Sequence, residues 1–439
     1  MSEGKSVILV KVVVLIGIMI ASTIPNFLVV SDVTNQVNVS NSATLQDKEP
    51  AIAVVGSVVH LVWTHLVNEE NEEIVYSNNA SGSFSTLENL STNPGYDGRP
   101  RIAVGPNNAL HVAWISENNL TMNMDLHYSN RINGVWSTPV VIDFNVTPSP
   151  IDIAISNNGV VHIVYVKQDW QFIFWEATDI WHVDNHTGAF NSKIQVTSGS
   201  KVARNPRIAV NSLGKAQIVW RKETIDIIPS VSRVTTMYSG QLNSNTFSTP
   251  IAISGNNSNQ MDITVGTSDT VHFVWTEYVG RNQTGFVFTT RFWDLVYMNM
   301  SASGVFSKKT VILTNGNKPS ITTDSSGAVH IVWDTDGSVY YVNNKAGSFS
   351  NVSNSLLDDF KGGGHQRPEI AATGNNVMIT WERYEENEND DTEIYFVSGN
   401  ASAFLEQGLS KPAFFAPISI LLLGIITATM IRLKKKKQN

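Results

Sequence analysis

The sequence predicts an all-β fold, a seven-bladed β-propeller with four-stranded antiparallel blades, plus a C-terminal transmembrane helix. Three observations predict it. An apolar run closed by an aromatic residue recurs seven times along the 439 residues. Each recurrence carries the same series of short β-type runs in the same order. The chain then ends in an uncharged stretch, 413–431, followed by a basic tail.

The elements of the repeat follow in order. Its first run is usually opened by proline: Pro50, Pro100, Pro150, Pro206, Pro319 and Pro368, with Gln260 in that place in the fifth copy. The second run closes at Trp63, Trp114, Tyr165, Trp220, Trp275, Trp333 and Trp381. The third holds Tyr76, Tyr128, His182, Tyr238, Tyr297, Tyr341 and Phe396. A Gly-x-aromatic or Asn-x-aromatic turn, ending at Phe84, Trp136, Phe190, Phe247, Phe306 or Phe349, leads to a fourth run in six copies. Runs this short, rich in Val, Ile and aromatics and punctuated by Asn and Gly, are strands joined by tight turns. The closing aromatics stand 48 to 58 residues apart. That is one propeller blade, whereas an immunoglobulin-type unit needs about 100 residues. The runs are apolar on both faces, as sheets covered on both sides require. The seventh copy lacks the fourth run, and Val37–Ser40 ahead of the first copy supplies one. Closing the last blade with the first strand leaves no open edge. The propeller therefore spans 35–402.

Composition agrees with an exported β protein. Residues are 42% hydrophobic and only 15% charged, well below the usual share of about 25%. Asn, Ser and Thr carry the polarity instead, which disfavours a cytosolic helical enzyme. The absence of cysteine excludes disulfides, thiolate zinc sites, iron–sulfur clusters and a cysteine nucleophile. The formal charge of −8 hides an asymmetry: residues 25–431 hold 23 cations against 37 acids, a net of −14. Such a surface repels nucleic acid and can attract divalent cations.

The ends read as targeting segments. Lys5 and Lys11 precede an apolar stretch at 12–20 and then Ala21, Ser22 and Thr23, the order of a signal peptide or of an N-terminal anchor over 1–24. After a short linker, 403–412, the 19 residues of 413–431 are long enough to cross a bilayer. The tail, 432–439, carries Lys434 to Lys437 and holds the C-terminus in the cytoplasm. The expected location is the cell membrane, single-pass, with the propeller outside. Sequons such as Asn79, Asn119 and Asn282 permit glycosylation there.

Loop lengths point to a binding face. The hairpin from the proline to the closing aromatic is nearly constant, while the connection from that aromatic to the third run varies from 6 to 20 residues. Scaffold segments stay constant where they only pack, so the variable face is the expected binding face. Arg99, Arg204 and Arg367 stand just before strand-opening prolines, near the channel mouth, where guanidinium groups could converge on a carboxylate or sulfate or pair with local acids. Trp170, Trp175, Tyr278, Trp293 and Tyr384 sit in or beside the long connections and offer flat faces to sugars or protein partners, or pack those loops. Acids cluster at Glu69, Glu70, Glu72 and Glu73 and again at Glu385, Glu386, Glu388, Asp390, Asp391 and Glu393. They could hold calcium, but without an ordered Asp-x-Asp-x-Asp-Gly loop a solvated acidic surface is favoured. No cofactor is otherwise expected. His60, His111, His162, His272 and His330 recur once per blade and cannot converge on one ion, so they are expected as buried hydrogen-bonding residues between blades. No Gly-x-Ser-x-Gly or His-Glu-x-x-His motif occurs, and Gly362 to Gly364 read as a flexible loop.

The stretches Ser77–Phe84, Ser129–Trp136 and Val342–Phe349 resemble the Asp-box turns of sialidase-like, bacterial-neuraminidase-type propellers, whose pattern is Ser-x-Asp-x-Gly-x-x-Trp. The glycine and the aromatic match; the aspartate and one spacer residue do not. The resemblance covers Val37 to about Ser402 and is architectural. A sialidase uses an arginine triad, a Tyr/Glu nucleophilic pair and an acid/base Asp. The resemblance would place Arg99, Arg204 and Arg367 in the triad and Tyr278 with Glu277 in the pair, though no motif fixes that correspondence. The expected function is a membrane-anchored propeller that binds extracellular glycan or protein and no nucleic acid. A sialidase-like exo-glycoside hydrolase and a structural cell-envelope protein are the alternatives.

Overall fold

The computed structural model describes residues 36–401 apart from 43–45, 69, 169–176, 200–201, 227–230, 256, 283–289, 336, 350–354, 359–366 and 386–390. Seven antiparallel sheets follow one another along the chain. Each is built in the order inner strand a, then b, c and outer strand d. In blade one these are Asp47–Val55, Val58–Asn68, Asn71–Asn78 and Glu88–Asn89. Blade seven runs Glu369–Thr373, Asn376–Glu385 and Asp391–Asn400, and takes Val37–Asn38 as its outer strand. Val37 pairs with Phe396 and Asn38 with Tyr395, as the missing fourth run predicts. Ser40 and the amide of Ser42 then bind the Glu393 carboxylate.

The seven closing aromatics are all fully buried, which is why they are the most regular mark of the repeat. Each removes roughly 150–250 Å2 from water, on the order of 4–6 kcal/mol of apolar transfer free energy. They sit where blades stack: Trp114 of blade two packs with Val62 and Tyr76 of blade one. Several are also hydrogen-bonded, Trp63 Nε1 to Asp47 at 2.6 Å and the Tyr165 hydroxyl to Asp143 at 2.8 Å.

The turn aromatics have an equally specific task. Each leans edge-on against the c-strand ring of the preceding blade: Trp136 on Tyr76 at 5.1 Å, Phe190 on Tyr128 at 5.0 Å, Phe349 on Tyr297 at 5.0 Å and Phe84 on Phe396 at 5.2 Å. This edge-to-face geometry suits aromatic quadrupoles. The serine that opens the turn pattern holds it from within, since Ser77 Oγ donates to the Ser85 carbonyl and Ser129 Oγ to that of Ser137, both at 2.8 Å. Blade seven lacks this turn and meets blade six through a buried cluster that includes Val332, Tyr341, Ile370 and Ala401.

The recurrent histidines are buried and hydrogen-bonded, but within a blade rather than between blades. His60, His111, His272 and His330 each place Nδ1 at 2.6–2.7 Å from the hydroxyl of the c-strand tyrosine beside them. Strand pairing inside each sheet fixes that partner.

Two long connections are not loops. In blades four and five the extra residues lengthen strands b and c into tall hairpins, Ala216–Asp226 with Val231–Asn243 and Val271–Asn282 with Thr290–Met300. No helix among the described residues is long and apolar enough to cross a membrane. The predicted signal segment, linker, transmembrane stretch and tail lie outside the described residues.

Candidate functional site at the channel mouth

Strand register defines two rings of equivalent positions where the inner strands begin. The first is the residue opposite the position before each closing aromatic. These are Ala51, Arg101, Asp152, Arg207, Asp262, Ser320 and Glu369. Charges of opposite sign alternate through its middle and bond across the channel. Arg101 Nη1 lies 2.6 Å from Glu369 Oε1, and Arg207 lies 3.7 Å from both Glu369 and Asp262. Ser320 Oγ donates to Glu369 at 3.2 Å. Asp152 and Asp262 each accept the backbone N–H of the next blade, from Ile208 and Ile321, at 2.9 Å.

The second ring stands two residues earlier and forms the rim: Glu49, Arg99, Pro150, Asn205, Gln260, Lys318 and Arg367. Five of these are held in the left-handed region, with φ of +58° at Glu49, +57° at Arg99, +53° at Asn205 and +43° at Gln260 and Lys318. Register shifts mark a bulge at each of the five. A bulge re-aims a side chain at the cost of local strain, and the strain persists only where surrounding contacts hold it. Here the contacts run from blade to blade. The Arg99 amide donates to Glu49 Oε2 at 2.8 Å, the Lys318 amide to Gln260 Oε1 at 2.8 Å and the Glu49 amide to Glu382 Oε2 at 3.0 Å.

The rings enclose a cavity of about 270 Å3. Glu49 is clamped by Arg367 at 2.7 Å and Arg99 at 3.2 Å. Burial would raise the pKa of Glu49, but the two guanidinium groups hold it below the ordinary carboxylate value. Glu369 behaves likewise: Arg101 and Arg207 outweigh burial and keep it ionised. Burial does prevail at Asp152 and Asp262, whose pKa values are raised, and neither is among the residues that line the cavity. The lining carboxylates Glu49 and Glu369 are thus acceptors that stay charged at neutral pH.

Of the sequence-predicted residues, Arg99 and Arg367 line the cavity, and both take the local acid Glu49 as partner. Arg204 is displaced. It stands two places before Pro206, so Asn205 takes the rim position and Arg207 the charged ring, while Arg204 lies opposite Arg221 in the sheet. An arginine triad of Arg99, Arg204 and Arg367 is therefore not assembled. Tyr278 and Trp293 are cross-strand partners on the blade-five hairpin, with rings 5.5 Å apart, and Tyr384 lies opposite Thr392 in blade seven; none of them lines the cavity. Trp170 and Trp175 lie outside the described residues. Glu277, like Tyr278, does not line the cavity. Its carboxylate accepts from Trp275 Nε1 at 3.3 Å and from the Gly255 amide at 3.2 Å, and it pairs with Lys309 at 3.1 Å.

Glu72, Glu73 and Glu393 of the acidic cluster have side-chain partners within the protein. Glu72 pairs with Lys48 at 2.6 Å, and Glu73 accepts from Ser91 at 2.6 Å. Glu69, Glu386, Glu388 and Asp390 lie outside the described residues. Glu49, Arg101, Arg207, Lys318 and Glu369 are site residues that the proline-based alignment passed over. Their signal was a charged residue directly beside the strand-opening proline, visible once register and bulge are known.

No family model matches the chain, and no curated protein matches its sequence. Solved structures do match its fold. A mutant of the alpha-L-arabinofuranosidase of Fusarium graminearum aligns with TM-score 0.51 and 8% identity over 84% of this chain and 99% of that one. The polysaccharide lyase Uly1 aligns with TM-score 0.51 and 10% identity over 84% and 99%. The Hadza microbial sialidase Hz136 aligns with TM-score 0.46 and 12% identity over 84% and 69%. At these identities the likeness shows the fold alone: an all-β, seven-bladed propeller.

Proposed function

We propose that this chain is a propeller displayed outside the cell on a C-terminal membrane anchor, and that it binds a glycan at the channel mouth without cleaving it. The observation that carries this reading is the rim, where five polar or charged residues are kept in left-handed conformation around one cavity. Strained polar backbone gathered at one place is a mark of functional sites. The cavity offers fixed guanidinium donors beside ionised carboxylates, a pattern that suits hydroxyl groups and an acidic sugar. Its volume of about 270 Å3 is near the lower bound for small-ligand pockets, about 300 Å3, and fits the end of a chain. The two likenesses above TM-score 0.5 are to proteins described as acting on glycans, which is compatible with this reading. Against cleavage stand the ionised state of Glu49 and Glu369 and the location of Glu277 away from the cavity.

The test is a glycan array probed with the detergent-solubilised full-length chain, beside fluorogenic glycosides. Retention of a defined glycan class with no turnover is expected. Turnover abolished by Arg367→Ala would replace the binding reading with a hydrolase. Capture of proteins but no glycan would move the interaction to the tall hairpins of blades four and five.

A further inference from the structure

The seven blades serve as an internal alignment, and blade three departs from it at a buried place. In blade two, His111 Nδ1 meets the Tyr128 hydroxyl at 2.6 Å, and Asn130 lies opposite the histidine on strand c. Blades one, five and six repeat the same His, Tyr and Asn. In blade three both partners change together. His182 stands in the tyrosine position and Asp184 in the asparagine position, opposite His162.

The replacements bring ligand atoms together. His162 Nδ1 and His182 Nε2 face each other at 3.1 Å, and Asp184 Oδ2 is 3.9 Å from the same His162 nitrogen. One donor atom from each of the three side chains lies within 4.8 Å of the others, and all three residues are buried. Among the described residues, no other group of three or more histidine and carboxylate side chains is gathered this way. The far nitrogens, His162 Nε2 and His182 Nδ1, are buried without a hydrogen-bond partner. With the ring protons on those far nitrogens, the two facing nitrogens turn a lone pair each, beside a carboxylate oxygen, toward the same small volume, which a cation satisfies and an apolar core does not. The next turn supplies the outer support. His186 approaches Asp184 Oδ1 with its imidazole, and its backbone N–H donates to the same oxygen at 3.2 Å, so Oδ2 is the oxygen left toward His162. His186 is one-third exposed and marks the route from solvent.

We propose that blade three holds a divalent transition-metal site of the zinc class, ligated by His162 Nδ1, His182 Nε2 and an Asp184 carboxylate oxygen. His186 orients the carboxylate, as second partners of metal ligands do, and a water fills the fourth position. Bonds of about 2.0–2.1 Å in a tetrahedral set place ligand atoms roughly 3.3 Å apart. The separations of 3.1 and 3.9 Å reach that value through small side-chain rotations. Two imidazoles select against calcium and magnesium, which take oxygen ligands. In a chain without cysteine, the ion would tie strands b and c of one blade together where a disulfide cannot.

The experiment uses the untagged full-length chain, stripped with chelator and dialysed against Zn2+, with bound metal counted by mass spectrometry. One ion per chain is expected, and cobalt in its place should give the intense visible absorption of a low-coordinate imidazole site. The double variant His182→Tyr/Asp184→Asn restores the His, Tyr and Asn set of blade two. His162→Gln copies Gln217, which pairs with Tyr238 at 2.5 Å in blade four. Both should weaken zinc binding at least 100-fold and lose the zinc-dependent rise in Tm. Wild-type protein that binds no ion at equimolar zinc, or variants that keep the full stoichiometry, would overturn the proposal. Should the variants fail to fold, the cobalt spectrum of the wild type decides, and a weak, water-dominated octahedral spectrum refutes the site.

Discussion

Arg101 of blade two and Glu369 of blade seven meet at 2.6 Å although 268 positions separate them in sequence. Blade one lies between them and carries Ala51 at the equivalent position, so a long guanidinium arm reaches past it. The pair, with Arg207 behind it, fastens opposite parts of the ring across the channel. Removing one partner of such a pair costs more than the pair contributes, because a desolvated charge is left behind. Arg101→Met should therefore destabilise the protein by about 2 kcal/mol, below the 3–5 kcal/mol of a fully buried pair because both groups keep some solvent contact. Glu369→Gln should cost less, and urea titration of both single variants and the double should show a coupling of opposite sign to the single losses.

Blade stacking can be tested away from the channel. Trp136 leans on Tyr76, and Arg131 lies 5.0 Å above the same tyrosine ring. Trp136→Ala should cost about 2 kcal/mol, less than a fully buried tryptophan because Trp136 is half-buried. Val135→Ala, next to it and 71% exposed, should change stability by less than about 0.5 kcal/mol in the same urea titration.

The buried His and Tyr pairs predict acid sensitivity. Burial pushes the His111 pKa down to about 4 from an ordinary 6.5. A depressed histidine takes up its proton more readily when unfolded. Its contribution is therefore complete above about pH 6.5 and is lost as pH falls toward 4. His60 and His272 are pushed to about 4 in the same way. His111→Gln copies the pair that Gln217 makes with Tyr238 and should flatten this acid limb. The gain should be on the order of 2 kcal/mol at pH 4, with little change at pH 8, read from Tm against pH.

Ring closure depends on a very short strand. Val37 and Asn38 pair with blade seven, and Ser40 binds Glu393 beyond them. Without residues up to Ser42 the strand Asp391–Asn400 presents an unpaired edge. A chain beginning at Ala43 should unfold several degrees lower and self-associate, while one beginning at Gln36 should stay monomeric in analytical ultracentrifugation.

Blade number, strand order and closure by Val37–Asn38 were legible because each rests on residues that recur at fixed spacing and are fully buried. The site was less so. Arg99 and Arg367 stand on the rim as a proline-based alignment suggests. Arg204 does not, because it stands two places before its proline where Arg99 and Arg367 stand one place before theirs, so Asn205 takes the rim position in blade four. Tyr278 and Trp293 looked like loop aromatics but pair across a hairpin, since a long connection and a long hairpin have the same length in sequence. The blade-three cluster was hidden in another way: His162 belongs to the regular set, and only its opposite residues, His182 and Asp184, distinguish it.

The central claim, that ligand is held at the channel mouth, is tested most directly by one set of binding isotherms. The best-retained glycan from the array is titrated into wild type, into Arg367→Ala and into Asp269→Asn. Asp269 lies at the other end of the channel, where it accepts from the Ser212 amide and hydroxyl at 2.7 and 2.6 Å. The account predicts at least a tenfold loss of affinity for Arg367→Ala, about 1.4 kcal/mol, and wild-type affinity for Asp269→Asn. Unchanged binding by Arg367→Ala together with weakened binding by Asp269→Asn would place the ligand on the opposite face and contradict it.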